Sequence, residues 1–79
     1  MERIIETNKA DLAECLIDMF PPMPGQNITD MFYMDSCTMD YYFCGNPECL
    51  TAGGLWRVPL KNAPKSIIVC VHCRSILEG

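Results

Sequence analysis

At 79 residues and 49% hydrophobic content, the chain has room for one domain, at a size where a lone apolar core is marginal and a staple is common. Its net charge of −4 argues against generic nucleic-acid binding, and no run approaches the roughly 18 to 20 apolar residues of a membrane span. Six cysteines can supply the staple, as disulfides or as metal ligands.

The stretch from Met1 to Glu6 holds no apolar run of signal-peptide length behind a basic start. The expectation is a protein of a reducing cytoplasm, bacterial or host, where thiols stay reduced unless they bind metal or do redox chemistry. Residues 2–6, with Ile4 and Ile5, read as a short strand or a frayed arm. A helix over residues 8–20 follows from a capping Asn8, an acid at Asp11 and an apolar stripe of Leu12, Leu16, Met19 and Phe20. Pro21 and Pro22 stop it. Cys15 beside that stripe reads as a small buried hydrophobe.

Pro21, Pro22 and Pro24 stiffen the connector before residue 28. Residues 28–34 read as a strand or as a helical turn capped by Thr29. Cys37 lies in a polar break. Tyr41-Tyr42-Phe43 favours a strand running into Cys44. Residues 55–60 and 66–71 read as strands, Pro59 marking an edge or an end. Ile76 and Leu77 suggest a last short strand. The layout is therefore one domain over residues 1–79: an acidic helix and Pro-rich connector over 1–27, and a metal-bound core over 28–79.

The chemistry concentrates in Cys44-x4-Cys49, twenty residues, then Cys70-x2-Cys73. Each pair brackets a short turn after a strand-like run, so two sulfurs per turn can reach one ion while backbone N–H groups face the thiolates. Two such turns give tetrahedral S4 coordination, which suits one structural zinc ion. A rubredoxin-like iron site, a redox dithiol and a disulfide framework are weaker alternatives, because the first pair is longer than C-x2-C, the second follows a β-branched run instead of opening a helix, and the compartment is reducing. His72 inside the second turn is expected to point away from the metal. Cys37, seven residues before Cys44, reads as a buried or surface thiol, with a substitute ligand as the weaker alternative.

Two turns flanking a hairpin of about twenty residues resemble a zinc ribbon over residues 41–77. The stretch Cys44-Gly45-Asn46-Pro47-Glu48-Cys49 is also similar to the C-x-N-x-x-C knuckle of the Ogr/Delta phage transcription activators. The resemblance implies zinc-ribbon-like antiparallel β hairpins and, by analogy alone, a setting in transcription or other nucleic-acid machinery; with the N-terminal helix read above, the expected fold is a small α+β zinc-bound domain.

Four cysteines close a metal shell, and catalytic zinc needs an open position. With one histidine, no Gly-rich phosphate loop and no nucleophile motif, the chain is expected not to be an enzyme. Residues 1–40 carry two basic against eight acidic residues, and residues 41–79 four against two. Two partner surfaces follow. The first is methionine-rich and acid-rimmed, with Met19, Phe20, Met31, Phe32 and Met34, and suits another protein, basic or itself nucleic-acid-binding. The second is Trp56, Arg57 and Lys61, with Lys65 and Arg74, where a base can stack and phosphates can pair. Four cations are few for nucleic acid. The leading expectation is a small structural-zinc protein acting through protein–protein contact, an accessory factor or a phage-type inhibitor. The alternatives are a weak nucleic-acid-binding zinc finger and an iron electron carrier.

Overall fold

A computed structural model describes residues 3–77. Glu2, the first residue of the expected N-terminal strand or arm, lies outside them. Arg3–Ile4 forms β1, a two-residue strand. Helix α1 spans Lys9–Met19. Asn8 caps it in both directions: its side chain accepts from the Asp11 N–H at 2.9 Å, and Asp11 accepts from the Asn8 N–H at 3.1 Å. Two orphan donors of the first turn are thereby satisfied. The helix closes on Phe20, whose N–H reaches the Leu16 carbonyl, and the two prolines follow.

Residues 28–34, left between strand and turn by their pattern, form one 3-10 turn at Ile28–Asp30 and lead into another at Met34–Ser36. Asn27 caps that turn, its N–H donating to Asp30 Oδ2 at 2.9 Å and its carbonyl accepting from the Asp30 N–H at 3.0 Å, so Asn27 holds the position assigned to Thr29. The remaining strands are β2 at Thr38–Asp40, β3 at Thr51–Ala52, β4 at Leu55–Pro59, β5 at Ser66–Cys70 and β6 at Ser75–Leu77. Strands β2-β4-β5-β6 form an antiparallel sheet in that order, and β1 pairs with β3 in parallel. The aromatic run at 41–43 departs from expectation. β2 ends before it, and Phe43 makes only an isolated bridge to Ala52.

The register divides the sheet into two faces. Met39, Trp56, Val69 and Ile76 lie in one row across all four strands. Trp56, Val58 and Val69 of this face, with Met39 partly buried beside them, pack against Leu12, Cys15 and Leu16 of α1 and against Ile28, Phe32 and Cys37, while Ile76 at the sheet edge is exposed. The helix and the sheet thus share one core. The opposite face carries Leu55, Ile68 and Cys70, which cluster with Cys44 and bury the metal-ligand side. Period-2 alternation forces this split.

Gly53 lets the chain after β1 close on β3, and Gly54 leaves room for the His72 ring. Gly53 sits at φ +85°, and a Cβ there would meet the Ile5 backbone, with the carbonyl carbon 2.9 Å away. At Gly54 a Cβ would strike the His72 ring, with Nε2 at 2.6 Å. No helix among the described residues is long and apolar enough to cross a membrane.

Candidate metal centre

The first turn is built by its own backbone. Asn46 Oδ1 accepts from the Glu48 N–H at 3.1 Å, and the Asn46 carbonyl accepts from Cys49 at 2.9 Å and from Leu50 at 3.3 Å. The turn is closed by the Cys44 N–H on the Thr51 carbonyl, with the Thr51 hydroxyl donating to the Cys49 carbonyl at 2.9 Å. This brings Cys44 and Cys49 to one side, and the Asn46 N–H reaches the Cys44 sulfur at 3.5 Å. The second turn extends the β-branched strand β5. Cys70 ends that strand in the buried interior, and the next residue, Val71, donates its N–H to the Gly54 carbonyl at 2.9 Å. Arg74 follows at φ +53°, turning the chain into β6.

Because Leu55 pairs with Cys70, the hairpin carries the second turn to the first. The sulfurs of Cys44, Cys49, Cys70 and Cys73 all lie within 4.8 Å of one another. Cys44 to Cys73 is 3.7 Å and Cys49 to Cys70 is 3.8 Å. A disulfide would need about 2.05 Å, and all six cysteines are free. A tetrahedron with metal–sulfur bonds of about 2.3 Å has edges of about 3.8 Å, which is the spacing of these two pairs. Two ligands come from each turn, and the group can hold one metal ion.

The local field is uneven. Burial pushes the Cys70 and Cys44 thiols up, with hydrogen bonds from backbone N–H groups opposing it. At Cys73 burial also pushes up, but hydrogen bonds, first that of Ser75, outweigh it and bring the thiol down to about 7. Ser75 Oγ lies 2.9 Å from that sulfur. A bound cation would stabilise all four as thiolates. Ser75, two residues after Cys73, is a supporting group that the cysteine spacing alone does not reveal.

The other thiols and the histidine lie elsewhere. Cys15 is buried in the helix core with its sulfur 3.4 Å from that of Met19. Cys37 is buried with its sulfur 3.5 Å from the Tyr33 carbonyl. Burial raises both. His72 turns its Nε2 to the Ile5 carbonyl at 3.2 Å.

The two surfaces expected to face a partner are redistributed. Trp56 is 5% exposed. Its indole N–H donates to Thr7 Oγ1 at 2.9 Å, and that hydroxyl donates to the Gly53 carbonyl at 2.9 Å. The expectation of one exposed face joining Trp56 to Arg57 is therefore corrected: neighbours on a strand point oppositely, so Arg57 is exposed while Trp56 fills the core. Lys61 lies over the Tyr33 ring at 5.4 Å, Lys65 is exposed in the β4–β5 turn, and Arg74 pairs with Asp18 of α1. Phe32 is buried edge-on against Phe20, with centroids 5.6 Å apart. Met19, Met31 and Met34 are partly buried against the same core. Phe20, Met31 and Phe32 also line an apolar groove of about 300 Å³ with Leu60, Ile67 and Ile76.

Comparison with family models, with curated proteins and with solved structures yields no match; what the chain's own geometry establishes, among the described residues, is one α-helix with a four-stranded antiparallel sheet and a four-cysteine group able to hold one metal ion.

Proposed function

We propose that this chain is a small structural-zinc domain that works by binding another protein. The carrying observation is the four-thiol group itself: two turns, one from each side of a hairpin, converge four sulfurs within 4.8 Å. An all-sulfur tetrahedral set suits zinc, and four protein ligands leave no position for a reacting water. This supports a clasp and not a catalyst. The two turns around the β4–β5 hairpin follow the zinc-ribbon layout, and the free thiols fit a reducing cytoplasm.

The acidic balance of the first half, −6 over residues 1–40, supports a basic partner, such as a protein that itself handles nucleic acid. An accessory factor or inhibitor of transcription machinery, of the phage type, is the role we infer. The scattered placement of Arg57, Lys61, Lys65 and Arg74 weighs against a phosphate-binding stripe. The test is crosslinked capture from cells by the zinc-loaded chain and by Cys70→Ser, with and without nuclease. Nuclease-resistant capture of a defined protein, lost in Cys70→Ser, is expected. Capture abolished by nuclease, or oligonucleotide binding that weakens steeply with salt, would favour a nucleic-acid finger instead.

A further inference from the structure

The turn that carries Cys44 and Cys49 shows its apolar side chains to solvent. Tyr41 is 54% exposed, Tyr42 77%, Phe43 40% and Leu50 38%. Isolated exposed apolar residues are ordinary in a small domain, but four around one turn make a patch. The local fold explains why they stay outside. β2 has ended at Asp40. Cys44, Thr51 and Ala52 take the buried positions of the ladder formed by residues 43–44 and 51–52. Leu50 is held at φ +45°, a conformation that disfavours a side chain by about 1–2 kcal/mol. Strain of this kind concentrates at binding sites.

Three carboxylates adjoin the patch, and two arginines lie on the strands beside it, Arg3 opposite Thr51 and exposed Arg57 opposite Thr38. Tyr41 donates to Glu6 Oε1 at 3.3 Å, and the charge of that carboxylate raises the Tyr41 phenol. Asp40 precedes the patch, and exposed Glu48 lies within the turn. Lys61 and Lys65 lie beyond the Pro59–Ser66 end of the hairpin, whereas the patch adjoins its Leu55–Cys70 end. Arg74 is taken up by Asp18. A thiolate-bound ion would add net negative charge behind the turn. Aromatic faces among carboxylates suit a flat, weakly hydrated cation, which is the guanidinium group. The same carboxylates repel phosphates.

We propose that Tyr41, Tyr42, Phe43 and Leu50 form a docking surface for an arginine-bearing segment of a partner protein, with Glu6, Asp40 and Glu48 facing its cations. This rests on the protein-binding reading above and says where and with what chemistry the contact is made.

The test is an NMR titration of the metal-loaded chain, following aromatic ring signals. The probes are acetyl-Arg-Gly-Arg-Gly-Arg-amide, its lysine counterpart and a dT15 oligonucleotide. The arginine peptide is expected to move the Tyr41, Tyr42 and Phe43 rings. Tyr42→Ala should weaken it about two- to fivefold, the size of an exposed cation–π contact. Glu48→Gln should weaken it and flatten its salt dependence. The lysine peptide should bind less tightly, and dT15 should leave the rings unmoved. Unmoved Tyr41, Tyr42 and Phe43 rings with the arginine peptide, an unchanged Kd in Tyr42→Ala, or ring shifts with dT15 would overturn the proposal. Metal content is measured on the same sample. One ion per chain with no peptide binding defeats this surface alone, while a chain that holds no ion defeats the clasp and, with it, the turn that presents the surface.

Discussion

The Thr7–Trp56 contact gives the most quantitative test of how the N-terminal segment is fastened to the sheet. Trp56 is buried, its indole N–H donates to Thr7 Oγ1, and the Thr7 hydroxyl donates in turn to the Gly53 carbonyl. Trp56→Ala removes a whole buried ring and should cost about 3–5 kcal/mol, against a total stability of about 4–12 kcal/mol for a chain of this length. Thr7→Val keeps the shape but orphans one donor and one acceptor. Thr7 is half-buried, so water reaches part of the site and the loss should be about 1–2 kcal/mol. With a urea m-value of about 1 kcal/mol/M, the midpoint falls by about 1–2 M. In a Trp56→Phe background no indole N–H is left to orphan, so Thr7→Val should cost about 1 kcal/mol less there. Urea unfolding of the four proteins, followed by circular dichroism at one fixed zinc concentration, measures that coupling. Additivity within about 0.3 kcal/mol, or a loss below about 1 kcal/mol for Trp56→Ala, would refute the placement of Trp56.

Gly53→Ala combines a left-handed backbone with a collision on Ile5 and should cost clearly more than Gly25→Ala. Gly25 shares the left-handed backbone, at φ +82°, but has open space around it, so strain of about 1 kcal/mol is the whole penalty there; equal melting shifts would contradict the β1–β3 closure. Asp18→Asn breaks the exposed pair with Arg74 and should change stability by less than about 0.5 kcal/mol in thermal unfolding, since surface pairs are weak. Zinc affinity should rise with pH, because the ion displaces protons from thiols. Burial holds Cys44 and Cys70 protonated at neutral pH, so log K gains at least two units per pH unit from these two. Below about 7, Cys73 is protonated as well and the slope steepens. Calorimetry in buffers of different ionisation enthalpy counts the released protons; a pH-independent affinity would contradict a thiolate site.

Much of the fold is written locally. The Asn8 to Asp11 cap, the apolar stripe of α1 and the double proline bound one helix between Lys9 and Met19. The β-branched run before Cys70 becomes β5, and the spacing of the four cysteines places two ligands on each of two turns. Trp56 was also readable in principle: Arg57 outward and Val58 inward fix the parity of β4 and turn Trp56 toward the helix. Its size and proximity to cations suggest stacking instead, and only the long-range bond to Thr7 shows what its indole N–H meets. The parallel pairing of Arg3–Ile4 with Thr51–Ala52 has no sequence signature, since two-residue strands carry no period. The aromatics at 41–43 have strand propensity, yet they fall where the cysteine turn takes over the backbone bonds. The cysteine turn overrides propensity there, and the rings are left outside.

As a structural clasp, Cys44, Cys49, Cys70 and Cys73 together are expected to bind one metal ion that holds the fold. Elemental analysis paired with thermal unfolding of the purified chain and its cysteine variants tests it most directly. One zinc per chain is expected, kept in Cys15→Ala and Cys37→Ala, whose thiols lie in the helix core, and lost together with the cooperative transition in Cys70→Ser and Cys73→Ser. A chain that folds with no bound metal, or a Cys70→Ser variant that keeps both its ion and its melting temperature, would contradict the account.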